Sequence, residues 1–286
     1  MLLIVGELIR PGFADYNQFT NILRIAAFLG VVAIGQTLVI LSGGEGIDLS
    51  VGAIVTLAAI IIFRFTNGSD ALLLPALLIA LLVGFAIGLV NGIGIALIRI
   101  PPLVMTLGMT GVVKGATPPS MKAIISDPWI AGIPGDVFIW ALFGIGVTLL
   151  LQRTAYGKAL YAIGSNRVTA RLSGVSVEST VILTYGLSGL FAALGGFVLL
   201  GYTQAVFLNL GDPYTLPTIA AVVVGGTALA GGIGGYTGTM AGALLLTLIA
   251  SLLITLGLPE FGRQIVYGLI LLVLLSVYGR GRRLRG

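Results

Sequence analysis

Arg153-Thr-Ala-Tyr-Gly-Lys-Ala-Leu-Tyr-Ala-Ile-Gly-Ser-Asn-Arg-Val-Thr-Ala-Arg-Leu-Ser-Gly-Val-Ser-Val-Glu-Ser179 is a polar, basic stretch between two apolar segments, each long enough to cross a bilayer. It carries Arg153, Lys158, Arg167 and Arg171 against Glu178, and that contrast with its surroundings sets how the chain is arranged. Its inner part, Gly164-Ser-Asn-Arg-Val-Thr-Ala-Arg-Leu-Ser-Gly174, reads as a short helix bracketed by glycines. A membrane protein that holds such an element on one side of the bilayer is equipped to meet a partner there.

The composition agrees with a membrane setting. The 286 residues are 57% hydrophobic and 9% charged, with a mean hydropathy of +1.12, which excludes an ordinary soluble domain. At about 20 residues per helical crossing there is room for about nine or ten spans joined by short loops. Long unbroken apolar runs exclude a β-barrel, whose strands alternate with period two. The expectation is an all-α polytopic transmembrane helical bundle, a single domain over 1–286 with the polar loop at 153–179. Apolar spans are expected at 25–42, 48–63, 71–98, 103–116, 137–151, 181–202, 216–230, 237–256 and 263–278. The opening run 1–9 is too short to cross and reads as the outer end of a helix whose beginning is missing; neither a basic n-region nor a cleavage site marks a signal peptide.

The chain has neither cysteine nor histidine, which removes disulfides, thiol chemistry, imidazole catalysis and histidine metal ligation. No catalytic residue and no metal site is expected. The net charge of +5 does not point to nucleic acid, because the basic residues sit at loop ends, where the positive-inside rule puts them. With 153–179 in the cytoplasm, four further spans return the C-terminus there, with Arg280, Arg282, Arg283 and Arg285. The same parity puts Arg99 inside, and Asp15, Asp70, Asp127, Asp136, Asp212 and Glu260 outside.

The 43 glycines suit close helix packing in a membrane. Gly84, Gly88 and Gly92 recur every four residues, as do Gly234, Gly238 and Gly242, and Gly111 pairs with Gly115. Packing inside one subunit is the plain reading, and a dimer seam is the alternative. The run Gly225-Gly-Thr-Ala-Leu-Ala-Gly-Gly-Ile-Gly-Gly235 breaks an apolar region in two, which is tolerated at membrane depth only where backbone is buried or lines a cavity. It is not a nucleotide loop: Gly232 and Gly234 are followed by Thr237 where a third glycine is required. Gly157-Lys158 fails as a Walker A loop, since Gln152 and Ala159 stand at the required positions. The chain is therefore expected to bind no cofactor and to catalyse no reaction.

A second break, Ser42-Gly-Gly-Glu-Gly-Ile-Asp-Leu-Ser-Val-Gly52, carries two acids. Asp48 could serve a cation or proton. The commoner use of an Asp before a long apolar run is to cap a helix, and that reading is preferred. Polar groups inside spans are Gln36, Thr37, Asn91, Thr106 and Lys114. They either bond neighbouring helices or, for Gln36, Thr37, Asn91 and Thr106, line a path for a neutral polyhydroxylated solute. Lys114 snorkels towards the outer surface, where Lys122 follows.

Gly46-Ile-Asp-Leu-Ser-Val-Gly52, Ile219-Ala-Ala-Val-Val-Val-Gly-Gly-Thr-Ala-Leu-Ala-Gly-Gly232, and Tyr161-Ala-Ile-Gly-Ser-Asn166 with Ala170-Arg-Leu-Ser-Gly174 resemble the permeases of ribose-type bacterial ABC importers. The resemblance covers almost the whole chain. It implies a multi-pass inner-membrane subunit with a cytoplasmic C-terminus, paired with a second permease subunit, a cytoplasmic ABC ATPase dimer that binds the ATP, and an extracytoplasmic solute-binding protein. A monosaccharide or related small polar solute would cross by alternating access. On this pattern Gly164 to Gly174 is a coupling helix that docks into an ATPase groove, with Gly164, Asn166, Arg167, Thr169, Arg171 and Gly174 as its coupling residues. The family's usual acid near the start of that helix is replaced here by Arg167-Val-Thr169, and the chain begins within the family's first span. Two rivals stand beside this reading: an ABC permease for branched-chain amino acids or another small polar solute, and an ion-coupled secondary transporter.

Overall fold

The computed structural model describes residues 1–44, 46–98 and 117–283. Its helices, in order, are α1 (Leu2–Ile9), α2 (Tyr16–Leu41), α3 (Val51–Thr66), α4 (Leu73–Ile93), α5 (Pro119–Ile125), α6 (Gly135–Arg153), α7 (Ala155–Ser165), α8 (Arg167–Leu172), α9 (Val177–Thr203), α10 (Thr215–Val224), α11 (Tyr236–Thr255) and α12 (Glu260–Arg283). A small antiparallel hairpin, β1 (Pro128–Ile130) and β2 (Ile133–Pro134), lies between α5 and α6. The all-α expectation thus holds with one short exception. Tyr16–Leu41, Asp70–Leu97, Gly135–Arg153, Val177–Thr203 and Tyr236–Thr255 are long and apolar enough to cross a membrane. The expected span at 103–116, and with it Arg99, Thr106, Gly111, Lys114 and Gly115, lies outside the described residues, as does Glu45.

The bundle is built around α2 and α9. Their most apolar windows are 83% and 78% buried, against 28% for the window within Asp70–Leu97, so these two helices are the centre and α4 is peripheral. Leu74, Leu78 and Leu82 of α4 and Leu142, Ile145 and Leu149 of α6 point out of the bundle, as lipid-facing residues do. The Gly84, Gly88 and Gly92 ridge fits against α9: a side chain at these positions would strike the backbone of Gly189, Tyr185 and Ile182 respectively. Gly238 and Gly242 meet Gly225 and Ala221 of the α10 segment in the same way. These ridges are therefore contacts within the subunit. Gly234 leaves the helical series and lies in the loop before α11.

Three boundaries differ from the sequence expectation. α2 starts at Tyr16, well before residue 25, and includes Arg24, which pairs with Asp136 at 3.3 Å. The expected span 216–230 is a helix only to Val224; Gly226 has a left-handed φ of 88°, and the glycine-rich run continues as turns. The single short helix expected over 164–174 is instead the end of α7 followed by α8, joined at Asn166.

α3 and α10 both begin inside the bundle. The chain after α9 folds back so that the Gly211 N–H donates to Thr56 Oγ1 at 2.9 Å, and Tyr214 meets Phe28 edge-on with ring centroids 4.5 Å apart. The 10 residues of α10 span about 15 Å, roughly half a bilayer core. Replacing Gly88 by Val should lower stability by about 1–3 kcal/mol or more, since the new atoms meet α9 backbone that cannot rotate away. Gly146→Ala, which opens onto empty space, should be neutral or slightly stabilising; denaturation of the purified chain in detergent compares the two.

Candidate functional site

The break between α2 and α3 is the most polar point in the core. Asp48 is 2% exposed. Its Oδ1 accepts from the Ser50 N–H at 3.0 Å and the Ser50 hydroxyl at 2.5 Å, and its Oδ2 accepts from the Ser188 hydroxyl of α9 at 2.6 Å. The Gln36 side-chain amide reads the Asp48 backbone from both sides, donating to its carbonyl and accepting from its N–H. Asn91 of α4 closes the group by donating to Ser50 Oγ at 2.9 Å. Asp48 therefore does not cap α3, whose N-cap is Ser50 with no side-chain cap bond. It ties the break to α9 instead, and through Ser50 to α4.

Of the four residues considered for a path, Gln36 and Asn91 belong to this network. Thr37 faces another helix, with its hydroxyl 2.9 Å from that of Thr239 in α11 and 2.7 Å from the Ala33 carbonyl. Thr106 lies outside the described residues. All three described ones are buried and bonded to protein, so contact with a solute requires these bonds to open. Ser50 and Ser188, which sequence reading passed over, are the missing members. A serine inside the apolar run of α9 was the signal for one of them.

At the end of the bundle that holds α7 and α8, three loops converge. The Leu41 carbonyl at the end of α2 accepts from the Gly232 N–H at 3.0 Å, and Tyr161 of α7 donates to the Gly234 carbonyl at 2.9 Å. Burial pushes the Tyr161 hydroxyl above its ordinary pKa and keeps it a donor. A side chain at Gly164 would strike the Leu41 carbonyl and the Gly232 backbone, and one at Gly231 would strike Gly43. Gly43 and Gly231 hold left-handed φ values of 68° and 87°, which favour glycine. A cavity of about 290 Å³ is lined in part by this glycine-rich loop, at Gly225, Gly234 and Gly235, and by Gln152, Tyr161 and Thr237.

α8 carries the remaining sequence candidates. The Asn166 side chain caps it by accepting from the Thr169 N–H at 3.0 Å, and Gly174 ends it at a left-handed φ of 83°. Arg167 reaches back to donate to the Gly43 carbonyl at 3.2 Å, while Arg171 pairs with Glu178 at the surface. Gly164 is separate from this surface group, packed as part of α7. Val168 and Leu172, one turn apart, are 69% and 85% exposed on α8. Two apolar residues at helical spacing in an otherwise polar segment were legible, and the sequence reading missed them.

The family profile described as "Branched-chain amino acid transport system / permease component" matches residues 18–275. The chain is 35% identical over 294 residues to the Autoinducer 2 import system permease protein LsrC of Yersinia enterocolitica, covering 98% of this chain and 79% of that protein. It is likewise 35% identical over 290 residues to the LsrC protein of Yersinia pestis, covering 96% of this chain and 81% of that one. No solved structure matches.

Ser188→Ala should cost about 1.5–3 kcal/mol and Asp48→Ala at least as much, beyond the ~1 kcal/mol of a lost helix cap. The double variant should cost less than the sum of the two, because they remove one shared bond. Additive losses in a double-mutant cycle would refute the network.

Proposed function

The chain belongs to the branched-chain amino acid transport system / permease component family, and we propose that this permease passes a small, neutral, polyhydroxylated solute of the monosaccharide type into the cell. The similarity to Autoinducer 2 import system permease proteins supports import of a small solute. The interior is in keeping with it: among the described residues, buried Asp48 accepts three hydrogen bonds and buried Asp136 is paired with Arg24 through Oδ2.

The bundle end holding α7 and α8 faces the cytoplasm in this reading, along with the basic C-terminus, and the acids of the other end meet the solute-binding protein. The subunit pairs with a second permease subunit, identical or related, over an ATPase dimer that binds the ATP. It needs no cofactor of its own. Nine or ten crossings are part of the same proposal: among the described residues α3, the half-length α10 and α12 add to the five long helices, and the expected span at 103–116 lies outside them.

The observation that carries the mechanism is the three-loop junction. α8 docks in the ATPase through Val168 and Leu172, flanked by Asn166, Arg167, Thr169 and Arg171, and Gly174 sets its exit. Movement of α8 and α7 is delivered through Arg167 and Gly164 to the end of α2 and to the glycine-rich loop. Alternating access follows from the two breaks that these loops adjoin. An ion-coupled transporter would need Asp48 free to exchange its cation, whereas here it is committed to three hydrogen bonds.

The test is uptake by vesicles holding the permease, its ATPase and its binding protein. Uptake of the solute should require ATP and all three components, and valine should not compete. ATP-independent uptake by the permease alone would sink the proposal. The Val168→Asp, Leu172→Asp double variant should assemble in the membrane normally. Each buried apolar side chain is worth roughly 1.5–3 kcal/mol, so its affinity for the ATPase should fall by roughly 100-fold or more.

A further inference from the structure

The β1–β2 hairpin lies at the opposite end of α6 from α7, and its tip is apolar. Trp129 is 49% exposed and Ile130 66% exposed, an unusual pairing for a turn in water. The turn itself is rigid. Ala131 and Gly132 take left-handed φ values of 52° and 77°, Tyr16 of α2 donates to the Ala131 carbonyl at 2.9 Å, and the indole N–H donates to the Ala123 carbonyl at 3.1 Å. The indole stacks on Phe138 in the first turn of α6, with centroids 5.8 Å apart and planes 10° from parallel.

What the tip faces follows from where this stack leads. Phe138, Leu142, Ile145 and Leu149 are spaced as one face of α6, and the last three are 68%, 62% and 49% exposed. That face is the lipid-facing side of a helix whose 19 residues span about 28 Å, matching the hydrocarbon core, so its first turn lies at one interface. Trp129 continues the stripe at that level, with exposed Tyr16 and Phe19 of α2 nearby through the Tyr16 bond. An indole whose N–H is already bonded, over an apolar face, is the side chain that settles among headgroups and first acyl carbons. We propose that the hairpin is an anchor seated in the bilayer interface, with Trp129 and Ile130 in contact with lipid.

The anchor would have work to do inside the bundle. The short segment Ser126–Asp136 that carries it also holds a polar group at that end: Ser126 accepts from Arg24 at 2.6 Å and donates to the Gly201 carbonyl at 2.8 Å, and Asp136 pairs with the same arginine. Arg24 lies 4.6 Å from the Tyr202 ring centroid, so α2, α6 and α9 meet there. Seating the hairpin in lipid fixes this meeting point relative to the membrane while the opposite end moves.

Because the chain has no cysteine, Ile130→Cys gives a single labelling site for an environment-sensitive fluorophore in the full chain reconstituted into bilayers. Nitroxide carried on lipid headgroups and upper acyl carbons should quench the label strongly, and aqueous iodide weakly. Independently, brominated lipids should remove most of the emission lost between the parent chain and Trp129→Phe; the other tryptophan, Trp140, is buried and common to both. Iodide quenching without lipid quenching would overturn the proposal. So would a water-exposed label that is shielded only when the solute-binding protein is added, since that outcome makes the tip a protein-docking surface.

Discussion

A break between helices buried inside a bundle leaves backbone groups that apolar neighbours cannot satisfy, and this fold stands on how one such break is closed. Between α2 and α3 the Asp48 peptide is read on both sides by the Gln36 amide, and its carboxylate gathers Ser50 and Ser188. The partners come from three separate helices. Satisfying one loop therefore fixes the positions of α2, α9 and, through Asn91, α4. The glycine ridge of α4 then lets its backbone come close enough to α9 for these bonds to form. Polar closure and steric closure depend on each other here.

The second interruption uses the same logic with less machinery. The segment entering α10 finds its acceptor in Thr56 of α3, so the two short helices start side by side. A side chain at Gly52 would strike Thr215, Gly211 and Asp212, which shows how tightly the two starts are packed. Long helices supply the frame, and the paired short ones are the parts set within it. The junction beneath them reaches α7 and α8 through the Leu41, Gly43 and Gly232 backbone.

Much of this was legible before any coordinates. Apolar run length marked the long helices, four-residue glycine spacing marked the α4 ridge, and the two glycine-rich interruptions were found where they occur. The errors share a cause. Asp48 reads as a cap because capping is local, whereas its partner Ser188 is 140 residues away and nothing in the local pattern announces it. The start of α2 falls before the expected residue 25, and the Asp136 that pairs with its Arg24 is likewise distant in sequence. The end of α10 was misplaced because alanine and leucine after Gly226 keep the hydropathy high while the backbone has already turned. Val168 and Leu172 stand among charged residues, and their exposure on α8 is set by packing that the local composition does not show.

The junction of Gly43, Gly164 and Gly231 is made of main chain against main chain, with no side chain between. A contact of that kind has no rotamers to yield, so it behaves as a gear tooth and not as a cushion. On the coupling role proposed above, a displacement of α7 would be passed to the α2 terminus and its neighbouring turn together, since only main chain separates them. Bulk added at any of the three would strike main chain, as at Gly88, and cost stability.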